Sequence, residues 1–336
     1  MQFRKNEVLN LILFFVFATV LSLGAGEIAI RIISNQVMIY NIEMLKYGVD
    51  LKLLDPMNEV SHIHKANSSS HLMGVDISLN SMGNRGRELI SPKPAGEKRI
   101  YVAGSSLTMG WGVPEMQVFS YLVEEKLNQS GQSKYNFINA GVGNYSTFSS
   151  VSMLYRRFDE VKPDMIILQH FIADVEPRDV GKNNWLLQKS YLGSYFYNDI
   201  LGIIFRNRYS NLFEYYNQLY KDESIPWQQT LKQILQLKNF LAEKKIPLLI
   251  MIIPDFHDLS QESPYQALYQ KMQTAFQSMN IQTLNSFPEL QALYGKKESQ
   301  LWVKPNDPHP NAIGHRVMAD GLYDYLIKSK LLDSGL

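Results

Sequence analysis

Two stretches far apart in the chain carry the residue types that nucleophilic acyl chemistry needs. Gly104-Ser105-Ser106-Leu107-Thr108-Met109-Gly110-Trp111-Gly112-Val113 places paired hydroxyls in a glycine-rich turn. Asp307-Pro308-His309-Pro310-Asn311 places a carboxylate two residues before an imidazole. A serine hydroxyl is a poor nucleophile near neutral pH and needs an adjacent base, itself oriented by a third group. Ser106 is then the nucleophile, His309 the base, and Asp307 the group that fixes the imidazole tautomer. Taken singly, each stretch has a bland alternative: a serine-capped strand-to-helix turn, and a proline-stiffened surface loop.

The elements around these stretches decide whether they can meet. Arg99–Ala103 is a short apolar run that reads as a buried strand. Beyond the turn, Val118–Leu127 has helical spacing, with Val118, Phe119, Leu122 and Val123 on one face. A hydroxyl between them stands at the carboxyl edge of a sheet, beside backbone N–H groups able to bind negative charge. Further strands are expected at Asn136–Ala140, Met165–Gln169, Pro247–Ile253 and, more weakly, Ile281–Leu284. Helices are expected at Ser149–Phe158, Thr230–Lys244, Tyr265–Met279 and Ala312–Ile327. This alternation implies an α/β, doubly wound, mainly parallel sheet covered on both faces, with its site at the strands' carboxyl ends.

Composition excludes several classes. The 336 residues are 45% hydrophobic and 19% charged, an ordinary globular balance, and a net charge of +1 without a basic stripe gives no reason to expect nucleic acid. Cysteine is absent, which removes disulfides, thiolate nucleophiles and cysteine-ligated metals. His62, His64 and His71 lie near Asn67-Ser68-Ser69-Ser70 without a recognised metal-ligand pattern, and a solvated loop is expected there. No metal or other cofactor is expected.

Arg4 and Lys5 precede a nearly unbroken apolar run from Val8 to Gly26. Its length suits one membrane-spanning helix, for which roughly 17–25 residues are needed. The basic flank predicts a cytoplasmic N-terminus and an exported remainder, with a cleaved signal peptide as the alternative. The expected organisation is 1–34, cytoplasmic tip and signal anchor; 35–96, connecting segment; 97–330, catalytic domain. Within the last, 175–228 interrupts the alternation and carries Trp185, Tyr191, Tyr195, Phe196, Tyr197, Phe205, Tyr209, Phe213, Tyr215, Tyr216 and Tyr220. A helical cap over the site is expected there, its aromatics stacking on sugars, resting on a membrane, or forming the cap's own small core.

Four blocks in this order resemble the SGNH (GDSL-type) hydrolase family. Gly104-Ser105-Ser106-Leu107-Thr108 resembles its nucleophile block, and Asn139-Ala140-Gly141-Val142-Gly143-Asn144-Tyr145-Ser146-Thr147 its second. Pro163-Asp164 through Asp174 resembles its third, and Asp307-Pro308-His309-Pro310-Asn311 with Gly314-His315 its last. The resemblance spans roughly Lys98 to Leu326. It implies a flavodoxin-like sheet, a triad of Ser106, Asp307 and His309, and oxyanion donors at the backbone N–H groups of Ser106 and Asn144. Three positions depart from the pattern: Ser105 stands for the usual Asp, Asn144 for a glycine, and Ala173 for an asparagine that donates to the oxyanion. The Asn144 side chain is the candidate substitute for that lost donor.

His170, Asp174 and His257 follow candidate strands and are possible substrate contacts at the site edge. For Asp174, and for Asp179 in the insertion, a plain loop carboxylate is the stronger reading. His315 falls inside the last helix, where a packing role is expected, with Asn311 as the helix cap. The leading functional expectation is a membrane-anchored, exported serine esterase acting on O-acyl, chiefly acetyl, esters of carbohydrate. One alternative is an O-acyltransferase serving a cell-envelope polysaccharide beside a membrane-bound O-acyltransferase partner, as the resemblance implies. The other is a carbohydrate-binding or assembly protein without turnover.

Overall fold

The computed structural model describes residues 2–129, 134–176, 188–208, 211–305 and 307–332. The chain divides into two units: Met1–Val49 with Asn183–Arg208, and Asp50–Lys182 with Tyr209–Leu336.

The first unit is built on α1 (Gln2–Gln36), a helix long and apolar enough to cross a membrane, with its apolar residues from Val8 to Ile33 largely exposed. It is followed by α2 (Tyr40–Asp50). The segment read from sequence as aperiodic, Ser34 to Ala95, is more ordered than expected. Besides α2 it holds two antiparallel hairpins, β1 (Lys52–Leu54) with β2 (His62–His64) and β3 (Ser69–Leu72) with β4 (Val75–Ser78).

The larger unit contains a five-stranded, all-parallel sheet. Its strands are β5 (Glu97–Gly104), β6 (Lys134–Gly141), β7 (Met165–Phe171), β8 (Leu248–Ile253) and β9 (Gln282–Asn285), in the order β6-β5-β7-β8-β9. Successive side chains of a strand point to opposite faces, yet all six residues of β8 are buried, so both faces are covered. The connecting helices are α3 (Ser106–Met109), α4 (Phe119–Gln129), α5 (Thr147–Val161), α6 (Tyr191–Arg208), which belongs to the first unit, α7 (Leu212–Leu219), α8 (Ile225–Glu243), α9 (Tyr265–Ser278) and α10 (Phe287–Tyr294). A small hairpin, β10 (Trp302–Lys304) with β11 (Asp307–Pro310), precedes α11 (Ala312–Ser329), whose cap is the Asn311 side chain. The strand order reverses at β5, which opens a crevice outside the carboxyl ends of β5 and β7.

The five expected strands and the helices between them are all present, each within a few residues of its expected bounds. The expected cap insertion is divided. Its helix α6 groups with α1 in the first unit, whereas α7 belongs with the sheet. Trp185, Tyr209 and Asp179 lie outside the described residues, as does the side chain of Phe205.

Candidate active site

β5 delivers the chain to the crevice at Gly104. A Cβ there would stand 2.3 Å from Thr108 Oγ1 and 2.5 Å from Gln169 Oε1, so no larger residue fits between β5 and its neighbours. Ser105 is buried and spent on the framework. Its N–H and Oγ–H both donate to Gln169 Oε1 (2.8 and 2.9 Å). Gln169 Nε2 in turn donates to Asp174 Oδ2 (2.9 Å), which also accepts from the Phe171 N–H (2.8 Å). Asp174 is 3% exposed and committed to bracing the turn after β7, so it is a structural carboxylate rather than a substrate contact.

Ser106 opens α3 and faces β11. Its Oγ lies 2.9 Å from His309 Nε2, and His309 Nδ1 lies 2.5 Å from Asp307 Oδ1. Asp307 is 2% exposed. Burial alone would raise its pKa, but the ring and backbone N–H of His309, the imidazole charge and the Trp111 Nε1–H hold it below the ordinary carboxylate value. The ionised Asp307 therefore requires the proton on Nδ1, which leaves the Nε2 lone pair facing the serine O–H. These three side chains form an unbroken hydrogen-bonded relay, an arrangement in which a serine hydroxyl could pass its proton to an imidazole held by a carboxylate.

The turn that carries Ser106 is held from the connecting segment. The Arg85 guanidinium donates to the carbonyls of Met109 (2.8 Å), Gly110 (2.7 Å) and Val113 (2.7 Å). Burial lowers its pKa to about 10, which keeps it cationic at neutral pH. On the other side, Asn139 Nδ2 donates to the Thr108 carbonyl (2.8 Å), and a Cβ on Gly141 would lie 2.2 Å from the Met109 nitrogen. Strand β6 and α3 thus touch backbone to backbone.

The loop after β6 contains Asn144, at φ +69°, in the left-handed region that asparagine tolerates better than most residues. Asn144 therefore holds a backbone conformation that a glycine would adopt without strain. Its side chain is exposed. The preceding carbonyl, of Gly143, accepts from Lys52 Nζ (2.7 Å) and from His62 Nε2 (2.9 Å). A carbonyl has no proton to give, so His62 carries its proton on Nε2 and its Nδ1 accepts from Ser61 Oγ–H (2.8 Å). Tyr145 O–H donates to the His62 carbonyl (2.7 Å), and Val60, Val142 and Tyr145 pack as a small apolar cluster. Hairpin β1–β2 is therefore fastened to this loop by both polar and apolar contacts.

A cavity of about 210 Å³ opens on Ser106 and His309. Leu107, Phe171, Leu212, Tyr216, Phe256 and Pro308 give it a largely apolar wall, and Asp255 and His257 its polar edge. His257 sits after β8, with its Nδ1–H and backbone N–H both donating to Asp255 Oδ1 (2.8 and 2.9 Å). The hydrogen bond to Asp255 raises its pKa, against partial burial and with help from the charges of Asp255 and Asp307. Asp255-Phe256-His257 thus repeats the spacing and bonding of Asp307-Pro308-His309 on the wall of the same cavity.

The other sequence candidates fall elsewhere. His170 is fully buried, with Nδ1 2.8 Å from Thr147 Oγ1 and Nε2 3.1 Å from Tyr220 O–H, and burial lowers its pKa to about 3. It is not a substrate contact. Because Gln169 points toward Ser105, the alternation of β7 turns its neighbour His170 to the opposite face. His315 is fully buried, stacks on Phe119 at 7°, accepts from the Phe119 N–H at Nδ1 (3.2 Å) and, among the described residues, has no hydrogen-bond partner at Nε2. Ala173 lies in the buried turn after β7 and offers no side-chain donor. His62 and His64 are not a solvated loop: His62 grips Gly143, and His64 is buried with Nδ1 2.9 Å from the Gly83 carbonyl. His71 is surface-exposed beside Asp76. Among the described residues no group of His, Asp and Glu could hold a metal ion. Sequence reasoning missed Gln169, Arg85, Trp111, Lys52 and His62. Each acts across 60 residues or more, or through a backbone carbonyl, and neither leaves a local pattern.

No family model matches the chain, and no curated protein matches it. Solved structures do. One is a two-domain esterase (CEX) active on acetylated mannans, at 17% identity and TM-score 0.45 over 70% of this chain and 50% of its own length. A second is TesA, at 13% identity and TM-score 0.45 over 68% of this chain and 98% of its own. A third is a member of the lipolytic protein G-D-S-L family from Veillonella parvula, at 16% identity and TM-score 0.41 over 68% of this chain and 97% of its own. The chain thus spans half the length of the first and nearly all of the other two, and the solved structures to which it is similar include a G-D-S-L family member.

Proposed function

We propose that this chain is a membrane-anchored serine ester hydrolase that works through an acyl-enzyme on Ser106. The observation that carries the reading is the unbroken relay from Ser106 Oγ through His309 to the buried Asp307. Ser106 Oγ attacks the ester carbonyl carbon while its proton passes to His309 Nε2. The tetrahedral oxyanion is received by the backbone N–H groups of Ser106 and Asn144. Collapse breaks the bond to the alcohol, which takes the proton from His309. Water, deprotonated by the same nitrogen, then attacks the acyl carbon; the bond to Ser106 Oγ breaks, His309 returns the proton to that oxygen, and the acid leaves.

The cavity of about 210 Å³ suits a short acyl chain with part of its alcohol. His257, its Nδ1–H held by Asp255, presents Nε2 as an acceptor to hydroxyls of that alcohol, consistent with an O-acylated carbohydrate as substrate. Helix α1 is read as the anchor, with the larger unit outside the cytoplasm. Transfer of the acyl group to a polysaccharide hydroxyl instead of water is the second reading. It is favoured by the second Asp-x-His pair, which places a further proton-binding group where an acceptor hydroxyl would enter. A membrane-bound O-acyltransferase would then supply the acyl group.

The test is release of acetate from acetylated oligosaccharides by the full chain in detergent, with and without unacetylated acceptor. Release abolished in Ser106→Ala supports hydrolysis. Acyl transfer to the acceptor, with little release, supports the second reading. Neither reaction, with oligosaccharide binding retained, would replace both by a binding protein.

A further inference from the structure

Helix α6 begins beside α1 at a level that the apolar run itself defines. The nineteen residues from Val8 to Gly26 extend about 28 Å at 1.5 Å per residue, close to the roughly 30 Å of a bilayer's hydrocarbon core. Glu27 and Arg31 are the first charged residues beyond that run, and both grip the start of α6. The Glu27 carboxylate accepts from Ser190 Oγ–H (2.9 Å), Tyr191 N–H (3.0 Å) and Leu192 N–H (2.9 Å). Arg31 donates to the Lys189 carbonyl (2.8 Å) and lies 4.2 Å above the Tyr191 ring. At Gly26 an added Cβ would already touch Leu192 at 3.2 Å, so the two helices meet closely at this point.

From there α6 presents an apolar face that none of the described residues of its own unit covers. Phe196, Tyr197, Ile200, Ile203 and Ile204 are 45–57% exposed. At 3.6 residues per turn they fall within an arc of about 120°. The helix carries only Asp199, Arg206 and Arg208 as charges, the two arginines in its last turn.

We propose that α6 is an interfacial membrane helix, its Phe196–Ile204 face seated at the boundary of lipid headgroups and acyl chains. Exposed aromatic and branched aliphatic side chains on a helix tied to the end of a bilayer-length run meet lipid, not bulk water. Arg206 and Arg208 put positive charge into its last turn, the sign that anionic headgroups attract. The chain then holds the membrane at two elements, a spanning helix and one lying on the surface. This inference rests on reading α1 as the anchor.

The test exploits the absence of cysteine from the chain. Single cysteines at Phe196, Ile200 and Ile204, at Val16 in α1, and at Gln218 as an aqueous control are spin-labelled. The full chain is then placed in nanodiscs of phosphatidylethanolamine and phosphatidylglycerol. Collision rates with oxygen, which concentrates in lipid, and with a water-soluble nickel chelate are compared. The proposal expects the three α6 labels to resemble Val16→Cys in favouring oxygen, at shallower depth, and Gln218→Cys to favour the chelate. Chelate-favouring α6 labels beside a lipid-favouring Val16→Cys overturn the proposal and leave the anchor intact. A chelate-favouring Val16→Cys overturns both. α6 labels shielded from both reagents and immobilised would mean a protein partner covers this face, and would also overturn it.

Discussion

Removing the Lys52 and His62 side chains should slow the chemical step without weakening substrate binding. Both donate to the Gly143 carbonyl, at 2.7 and 2.9 Å, and the N–H at the other end of that peptide belongs to Asn144. In a trans peptide the C=O and N–H point in opposite directions, so fixing one aims the other. Charged or partly charged donors on the oxygen also polarise the N–H, which strengthens it as a donor to an oxyanion. A hydrogen bond to a charged group contributes about 1.5–3 kcal/mol, and one oxyanion donor is worth about 2.7–4 kcal/mol of barrier. The second figure caps the effect. We expect Lys52→Met to lower kcat about 10-fold, and Lys52→Met with His62→Phe about 100-fold, with KM changed less than about 2-fold. The assay is steady-state hydrolysis of a short ester, paired with inhibition by a boronic acid whose tetrahedral adduct on Ser106 mimics the intermediate. Ki should rise in step with the fall in kcat, and Lys52→Arg, which keeps a donor, should recover most of the rate. A double variant that melts normally and keeps kcat within about 2-fold, or that loses only KM with Ki unchanged, would refute the reasoning.

Three further outcomes follow from the same geometry. Asn144→Gly should retain activity, whereas Asn144→Val should lose about 10-fold or more in kcat/KM, because a β-branched residue at φ +69° is strained by about 1–3 kcal/mol and displaces the N–H. Trp111→Phe removes a donor from a buried carboxylate whose pKa such donors hold down, so the acid limb of the kcat/KM profile should move to higher pH. His64, His170 and His315 are each lowered to about 3, with burial the largest cause. The unfolded chain takes up their protons first, so the stability they confer is complete above about pH 6.5 and is lost as pH falls toward 3. Denaturant titrations should show stability dropping by up to about 4 kcal/mol per pH unit between pH 6 and 4.5, and less steeply in His170→Gln. A flat or rising stability over that window would contradict the buried, neutral state of these rings.

The sheet was legible because β5, β7 and β8 carry apolar runs set among amphipathic helices, and both signals are local, whereas β9 holds a single apolar residue and reads weakly. The relay was legible for a related reason. Ser106 stands where β5 runs out, and Asp307 and His309 are two residues apart, so only one long-range contact had to be inferred. What eluded the sequence depends on partners that sequence spacing does not reveal. Ser105 became part of the framework because Gln169 happens to reach it from β7, and that same reach turned His170 away from the crevice. The hairpins of residues 52–78 are three or four residues per strand, too short for alternation to stand out. Lys52, His62 and Arg85 act on backbone carbonyls, which carry no identity in the sequence at all. The aromatic insertion read as one cap because its composition is uniform. Its division between α6 and α7 follows from what each helix touches.

The most direct test of the central claim is the mass of the intact chain after exposure to a fluorophosphonate, followed by peptide mapping. The account predicts a single stoichiometric adduct on Ser106 Oγ, lost in Ser106→Ala and slowed by orders of magnitude in His309→Gln. An adduct on any other serine, or labelling of Ser106 at an unchanged rate without the His309 imidazole, would contradict it.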